Sequence, residues 1–183
     1  MLFKISVLDY GRFCLYLYAW WREIVRNSFF SDGSKYEGMV KKNKIHVKCI
    51  PTSLQIKLEA EKGKLHLMDT VQDQIDVVFD GADQIDKQKN LIKGGGGALL
   101  RENILISAAK KVVIMADDSK FVTNFNRDVP VEVHPLARNT ATKDILKIGG
   151  KPSIRTLDRG YPFVTENGNI ILDCDFKTIK KPK

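Results

Sequence analysis

Between a β-branched run and a helical pattern the chain carries a lysine and four consecutive glycines, Lys93-Gly94-Gly95-Gly96-Gly97. Ordering four glycines is entropically costly, so a folded chain keeps such a run where the backbone must approach something closely. A strand pattern before it and a helix pattern after it place it at a strand-to-helix turn. There the backbone N–H groups can form a nest before a helix N-terminus, a place for an anion. Lys93 adds a positive charge. The lysine precedes the glycines, so the run is not a Walker A loop. Leu99 or Leu100 stands where the last glycine of a GxGxxG fingerprint belongs, so it is not a dinucleotide loop either. A plain flexible linker is the alternative, and the flanking elements speak against it.

The surrounding pattern predicts an α/β fold. Ile45–Ile50 reads as a strand, Pro51-Thr52-Ser53 as a turn with a cap, and about 54–62 as a helix closed by Gly63. Lys64–Met68 is a short extended piece. Ile75–Phe79 (IDVVF) is a β-branched run of the kind found in buried parallel strands. Leu99, Leu100, Ile104, Leu105 and Ala108 mark a helix to about Lys110, and Val112–Ala116 another buried strand. Strand, helix and strand in alternation predict a Rossmann-like parallel sheet with helices on its faces. After about Asn126 the texture changes. Val129–His134 alternates like a half-buried strand, and 137–148 predicts a helix ended by Gly149-Gly150. Ser153–Leu157 and Pro162–Phe176 read as strands, with Asn167-Gly168 as a hairpin turn. This βαββ order is a small, incomplete α+β domain of ferredoxin-like type, short of one helix and one strand.

Four segments follow: an atypical N-terminal segment 1-36, an α/β catalytic domain 37-126, a small α+β domain 127-176 and a basic tail 177-183. The first segment holds ten of the sixteen aromatics and no clean period of 2 or 3.6. A helix over 12–30 would need an apolar groove or a partner to bury it.

Composition narrows the function classes. The chain of 183 residues is long enough for a sizeable core. Its net charge is +8, and the last seven residues carry four lysines and no acid, which reads as a solvated end. No helix-turn-helix, zinc-finger or RNA-recognition signature occurs, so no nucleic-acid partner is expected. Three cysteines lie far apart without a CxxC, which argues against a disulfide framework or zinc site and points to a reducing compartment. The longest apolar run, Phe13–Trp21, has nine residues. A bilayer needs about 20, and no small-residue cleavage site follows. A cytoplasmic protein without a membrane partner is the expectation. His46, His66 and His134 are scattered, so no metal is inferred. Ser107 lacks a GxSxG context.

Asp80, Asp83 and Asp86 follow directly on the IDVVF run. The carboxyl end of a parallel strand is where open α/β sheets bind ligands. Asp80-Gly81-Ala82-Asp83 can aim two carboxylates at one pocket, with Gly81 allowing a tight turn. A capped, solvated turn is the plain alternative. Glu102 falls early in the next helix, where the helix dipole favours its charge. As a general base it would need a pocket and a substrate proton. Lys120 ends the following strand region and can reach the same crevice, with a surface lysine as the default reading.

Together, Asp80-Gly81-Ala82-Asp83, Leu91-Ile92-Lys93-Gly94-Gly95-Gly96-Gly97-Ala98-Leu99 and Arg101-Glu102 resemble ribose-5-phosphate isomerase, type A. Supporting stretches are Cys49-Ile50-Pro51-Thr52-Ser53, Ala116-Asp117-Asp118-Ser119-Lys120, Thr165-Glu166-Asn167-Gly168-Asn169 and Ile171-Leu172-Asp173. The resemblance covers about residues 40–176. It implies interconversion of ribose 5-phosphate and ribulose 5-phosphate without metal or cofactor. It implies Glu102 as the base moving a proton between C1 and C2, and Lys93 with the loop amides as the stabilisers of the enediolate oxygen. Asp80 and Asp83 would bind sugar hydroxyls and help proton movement between oxygens. Gly81, Ala82, Gly94, Gly95 and Gly96 would line the substrate, and Lys120 would contact it near the phosphate. A homodimer or homotetramer is implied as well.

Two departures stand out. The family's Gly-Thr-Gly-Ser-Thr phosphate loop is replaced at the expected distance by Arg26-Asn27-Ser28-Phe29-Phe30-Ser31, and the family's further C-terminal elements are not matched. The sequence therefore reads as a divergent, truncated or frame-shifted copy. Two rivals remain at this stage. One is a non-catalytic sugar-phosphate sensor, although 1–36 lacks the DNA-binding pattern that usually accompanies one. The other is a nucleotide-binding enzyme, which the glycine spacing disfavours.

Overall fold

The computed structural model describes residues 48–62, 65–71, 75–177 and 179. The aromatic segment 1–36, the start of the strand expected over Ile45–Ile50, Gly63 and most of the basic tail lie outside the described residues. In chain order the elements are β1 (Lys48–Cys49), α1 (Leu54–Lys62), β2 (His66–Leu67), β3 (Ile75–Gly81), β4 (Gln84–Ile85), β5 (Leu91–Ile92), α2 (Leu99–Ala108), β6 (Ala109–Met115), β7 (Val129–Val133), α3 (Arg138–Lys147), β8 (Lys151–Ile154) and β9 (Ile170–Asp175). Single 3-10 turns stand at Asp118–Lys120 and Pro135–Ala137. The described residues fall into two compact units, with chain boundaries at the end of β3 and within α2.

One unit holds the described residues up to Asp80 together with Ile104–Asp117. The Ser53 hydroxyl accepts from the Ile56 N–H at 3.2 Å and caps α1. β2 lies parallel to β1, with Lys48 opposite His66 and Cys49 opposite Leu67. This strand–helix–parallel strand unit is the α/β connection the sequence predicts. β3 and β6 pair in a second sheet. The expected burial of IDVVF is not found. Val78 is buried, but Val77 and Phe79 are 38% and 44% exposed. β-Branched composition reports how well a residue fits a pleated strand, not how deep the strand lies.

The other unit gathers Gly81–Asn103 and the described residues from Asp118 on. β4 and β5 form an antiparallel hairpin that the sequence reading does not contain, with Gln84 opposite Ile92 and Ile85 opposite Leu91. Its turn is closed by Asp86, whose carboxylate accepts from the Asn90 N–H at 2.8 Å and the Asn90 amide at 2.7 Å. Asp86 is therefore a turn residue. Asp and Asn side chains hold turns by this kind of local bond.

The small sheet has the order β7-β9-β8, and both pairings are antiparallel. β7 and β8 are thus parallel to one another, with α3 as their crossover and β9 between them. Ile170, Leu172 and Cys174 of β9 face Ile145 of α3, packed with Val131, Val133, Ala141, Ile154 and Phe176. Burial, with the charges of Asp173 and Asp128, pushes the Cys174 thiol up to about 11. Ile171 and Asp173 lie on the opposite face, since successive strand side chains alternate. Ile171 is also fully buried, so β9 is covered on both sides. The strand expected over Pro162–Phe176 shrinks to β9 plus isolated bridges at Thr156–Pro162 and Val164–Ile170. Pro162 has no N–H to give to a ladder. α3 ends as predicted, with Gly149 at φ 87° and the Gly150 N–H on the Ile145 carbonyl at 3.0 Å.

Leu172, 1% exposed, is the packing centre of the small sheet. Leu172→Ala is expected to lower stability by about 2–5 kcal/mol, read from the urea midpoint. An unchanged midpoint would contradict this packing.

Candidate functional site

The β4–β5 hairpin sets the site's first contact. The Asp83 N–H donates to the Ile92 carbonyl at 2.8 Å, which lays Asp83 beside the end of β5. Its carboxylate then accepts from the Gly95 N–H at 2.8 Å. An added Cβ at Gly95 would run into that carboxylate. At Gly97 the φ of 84° is one that side chains rarely adopt, and a Cβ would lie 2.7 Å from the Phe163 ring. Gly96 is exposed, and an added Cβ there would meet nothing within 4 Å. The glycine run is therefore a shaped turn and not a linker.

Lys93 and Glu102 flank that turn and meet across it. Lys93 Nζ donates to the Gly81 carbonyl at 2.5 Å and lies 3.5 Å from Glu102 Oε2. Their side chains are 15% and 18% exposed, so the pair is largely shielded from water. Glu102 sits in the opening of α2, where its N–H makes an early helical bond to the Ala98 carbonyl at 3.0 Å.

The loop's carbonyl edge is held from the small sheet. Arg155, just after β8, donates from Nη1 to the Gly94 carbonyl at 3.0 Å and the Gly95 carbonyl at 3.1 Å. Its guanidinium is gripped by Asp173 of β9, Nε to Oδ2 at 2.9 Å and Nη2 to Oδ1 at 2.5 Å. This is a two-bond fork, the strong geometry for such a pair. The Asp173 hydrogen bond raises the Arg155 pKa against the opposing effect of burial, aided by the charges of Asp173 and Asp83. Arg127 Nη1 stands 3.7 Å from Asp83 Oδ1.

Glu132 of β7 fixes the start of α2. Its Oε2 accepts from the Leu100 N–H at 2.9 Å, satisfying a first-turn donor that the helix itself cannot use. A carboxylate there also meets the positive end of the helix dipole. Its Oε1 accepts from the Thr165 hydroxyl at 2.8 Å and the amides of Asn167 at 3.1 Å and Asn169 at 3.0 Å. Burial alone would lift the Glu132 pKa. The bonds from Asn167, Asn169, Thr165 and the Leu100 N–H outweigh it and hold the carboxyl below its ordinary value. Arg101 adds an ion pair to Glu166 at 2.6 Å and a bond to Asn167 at 3.2 Å.

Of the sequence-predicted residues, Gly81, Asp83, Lys93, Gly94, Gly95, Gly96 and Glu102 come together, with Ala82 between Gly81 and Asp83. Asp80, the penultimate residue of β3, counts with the other unit. Lys120 closes a 3-10 turn. The next residues run along β4, through the Ile85–Phe121 bridge and the Val122 N–H on the Ile85 carbonyl at 2.8 Å. Among the described residues no hydrogen bond or ion pair joins Lys120 to Asp83, Lys93 or Glu102. Sequence reasoning missed Arg155, Asp173, Glu132 and Arg127. One signal was available: Asp173 stands between Leu172 and Cys174 in a strand pattern, and a charge there calls for a partner. Among the described residues no His/Cys/Asp/Glu group could hold a metal ion. No described helix is long and apolar enough to cross a membrane. Chemically, the cluster offers a carboxylate for proton transfer next to an ammonium and ordered amides for a developing anion.

The family model described as ribose 5-phosphate isomerase A (phosphoriboisomerase A) matches residues 48–183. A ribose-5-phosphate isomerase A from Trichodesmium erythraeum is 43% identical over 141 residues, covering 74% of this chain and 59% of that protein. One from Haloarcula marismortui is 40% identical over 134 residues, covering 73% and 58%. The chain thus spans less than two thirds of the curated relatives it matches. Among solved structures, ribose 5-phosphate isomerase A from Methanocaldococcus jannaschii superposes with a TM-score of 0.71 at 32% identity, over 81% of this chain and 68% of that one. A D-ribose-5-phosphate isomerase in complex with phospho-erythronic acid gives 0.70 at 33% identity, over 82% and 68%.

Glu132 carries a testable pH dependence. Its lowered folded pKa contributes stability above the ordinary glutamate value of about 4.3, and that share is lost as pH falls through the lower folded value. Glu132→Gln is expected to cost about 1–3 kcal/mol at neutral pH and to flatten the acid limb of stability. Urea midpoints against pH for both proteins test this, and parallel curves would refute it.

Proposed function

The chain belongs to the ribose 5-phosphate isomerase A family, and from that premise we propose that it interconverts D-ribose 5-phosphate and D-ribulose 5-phosphate through an enediolate. The observation that carries this reading is the shielded Lys93–Glu102 pair, 3.5 Å apart, across the glycine turn. Aldose–ketose isomerisation removes a weakly acidic C–H proton, so it needs a placed base and a ready site for the oxyanion.

In this reading the Glu102 carboxylate takes the C2 proton of the open-chain aldose. The C–H electrons form a C1–C2 double bond, and the C1 carbonyl oxygen becomes the anion. Lys93, anchored on the Gly81 carbonyl, and the loop amides stabilise it. The O2 proton passes to O1 with Asp83 as the relay. Glu102 then returns its proton to C1, leaving the carbonyl at C2. Asp83 is suited to hold sugar hydroxyls because the Gly95 N–H fixes its carboxylate. The backbone of Gly81, Ala82, Gly94 and Gly96 lines the substrate. The roles of Asp80 beside Asp83 and of Lys120 near the phosphate come from the motif. A relative that holds phospho-erythronic acid supports a phosphorylated sugar as the ligand class. All steps are proton transfers, so the chemistry calls on no metal or cofactor.

The division into a catalytic α/β domain over 37-126 and a small domain over 127-176 rests on the sequence pattern, whereas the compact units group Gly81–Asn103 with the small sheet. The parallel β7 and β8 with β9 between them support a ferredoxin-like split βαβ unit. Family resemblance adds a cytoplasmic homodimer or homotetramer.

Glu102→Gln is expected to lower kcat by about 10²–10⁴-fold while phospho-erythronic acid still binds. The assay follows ribulose 5-phosphate formation in the presence of a chelator. A variant with near-normal turnover would remove Glu102 as the base. A wild-type protein that binds without converting would be a sugar-phosphate sensor instead.

A further inference from the structure

One backbone bond closes the glycine turn, from the Gly97 N–H to the Gly94 carbonyl at 3.1 Å, and it engages neither the Gly95 carbonyl nor the Gly96 N–H. Gly94, Gly95 and Gly96 are adjacent, and glycine rotates through both signs of φ at little cost. Yet the Gly94 and Gly95 carbonyls both accept from one nitrogen, Arg155 Nη1, at 3.0 and 3.1 Å. The described residues contain no cis peptide bond. In a trans peptide the C=O and the next N–H point in opposite directions. Two carbonyls drawn to one guanidinium therefore turn the Gly95 and Gly96 N–H groups the other way. The first reaches Asp83, and the second belongs to the exposed Gly96.

We propose that Arg155 is a positioning residue for the reaction: it presets the glycine turn, so that the Gly96 N–H and the Asp83 carboxylate stand ready for the substrate before it binds. This rests on the isomerase reading above. Asp173 locks Arg155 by its two-bond fork, which leaves Nη1 for the loop. A lysine carries one compact charge and cannot hold the Asp173 fork and two carbonyls at once. Donors fixed before reaction lower the barrier because nothing must reorganise as charge develops.

Two measurements test the role. In kinetics, Arg155→Lys and Arg155→Gln are each expected to lower kcat by about 10²-fold, the effect of losing one oxyanion donor, with a much smaller change in KM. Added guanidinium, below denaturing concentration, should restore part of the Arg155→Gln loss. A raised KM at unchanged kcat, or wild-type kcat with lysine at 155, would overturn the proposal. In amide NMR without substrate, Arg155→Lys should shift or broaden the Gly95 and Gly96 signals and leave those of Gly149 and Gly160 in place. Unmoved loop signals would overturn it, as would changes spread evenly over all four glycines. If the wild type does not turn over ribose 5-phosphate, the isomerase reading fails and the amide spectrum alone decides Arg155.

Discussion

A turn made of glycine has no side chains with which to fix itself, and the surrounding unit is arranged around that deficit. Asp83 grips the amide edge of the turn and Arg155 the carbonyl edge. Each grip is secured further out. Asp83 is held by the β4–β5 hairpin, and Arg155 by Asp173 on the buried strand β9. Glu132 performs the same service for α2 by taking its Leu100 N–H. Beyond the one Gly97-to-Gly94 backbone bond, the shape of the site is thus imposed from outside the segment that carries it.

The charges of the site come in opposed pairs: Lys93 with Glu102, Asp83 with Arg127, and Asp173 with Arg155. Partly buried charges are tolerable when they are paired and hydrogen-bonded. Pairing also holds long side chains in one geometry, and proton transfer needs the reacting groups within hydrogen-bond reach. The net positive charge of the chain is therefore a poor guide to its site.

What was legible in the sequence was local. The Ser53 cap, α2 after the glycines and the β7–α3 segment each announce themselves by composition or period over several residues. Lys93, Asp83 and Glu102 stand within one continuous motif, so the sequence names them together. The β4–β5 hairpin was not legible, because strands of two residues show no period. Asp86 belongs to that unseen turn, where its carboxylate holds Asn90. Arg155 and Glu132 act on backbone groups far along the chain, and a bond from a side chain to a distant carbonyl or N–H leaves no local pattern at either end.

The Arg155 clamp has a consequence for biosynthesis. Its contacts join residues 60 and 61 positions apart, and Arg101 reaches Glu166 over 65. Closing such long loops is paid for in entropy before any contact is gained. While the chain is still on the ribosome with β9 inside the exit tunnel, every motif residue from Asp80 to Lys120 has already emerged. The nascent protein then has its reactive groups but not their arrangement, which must await β9.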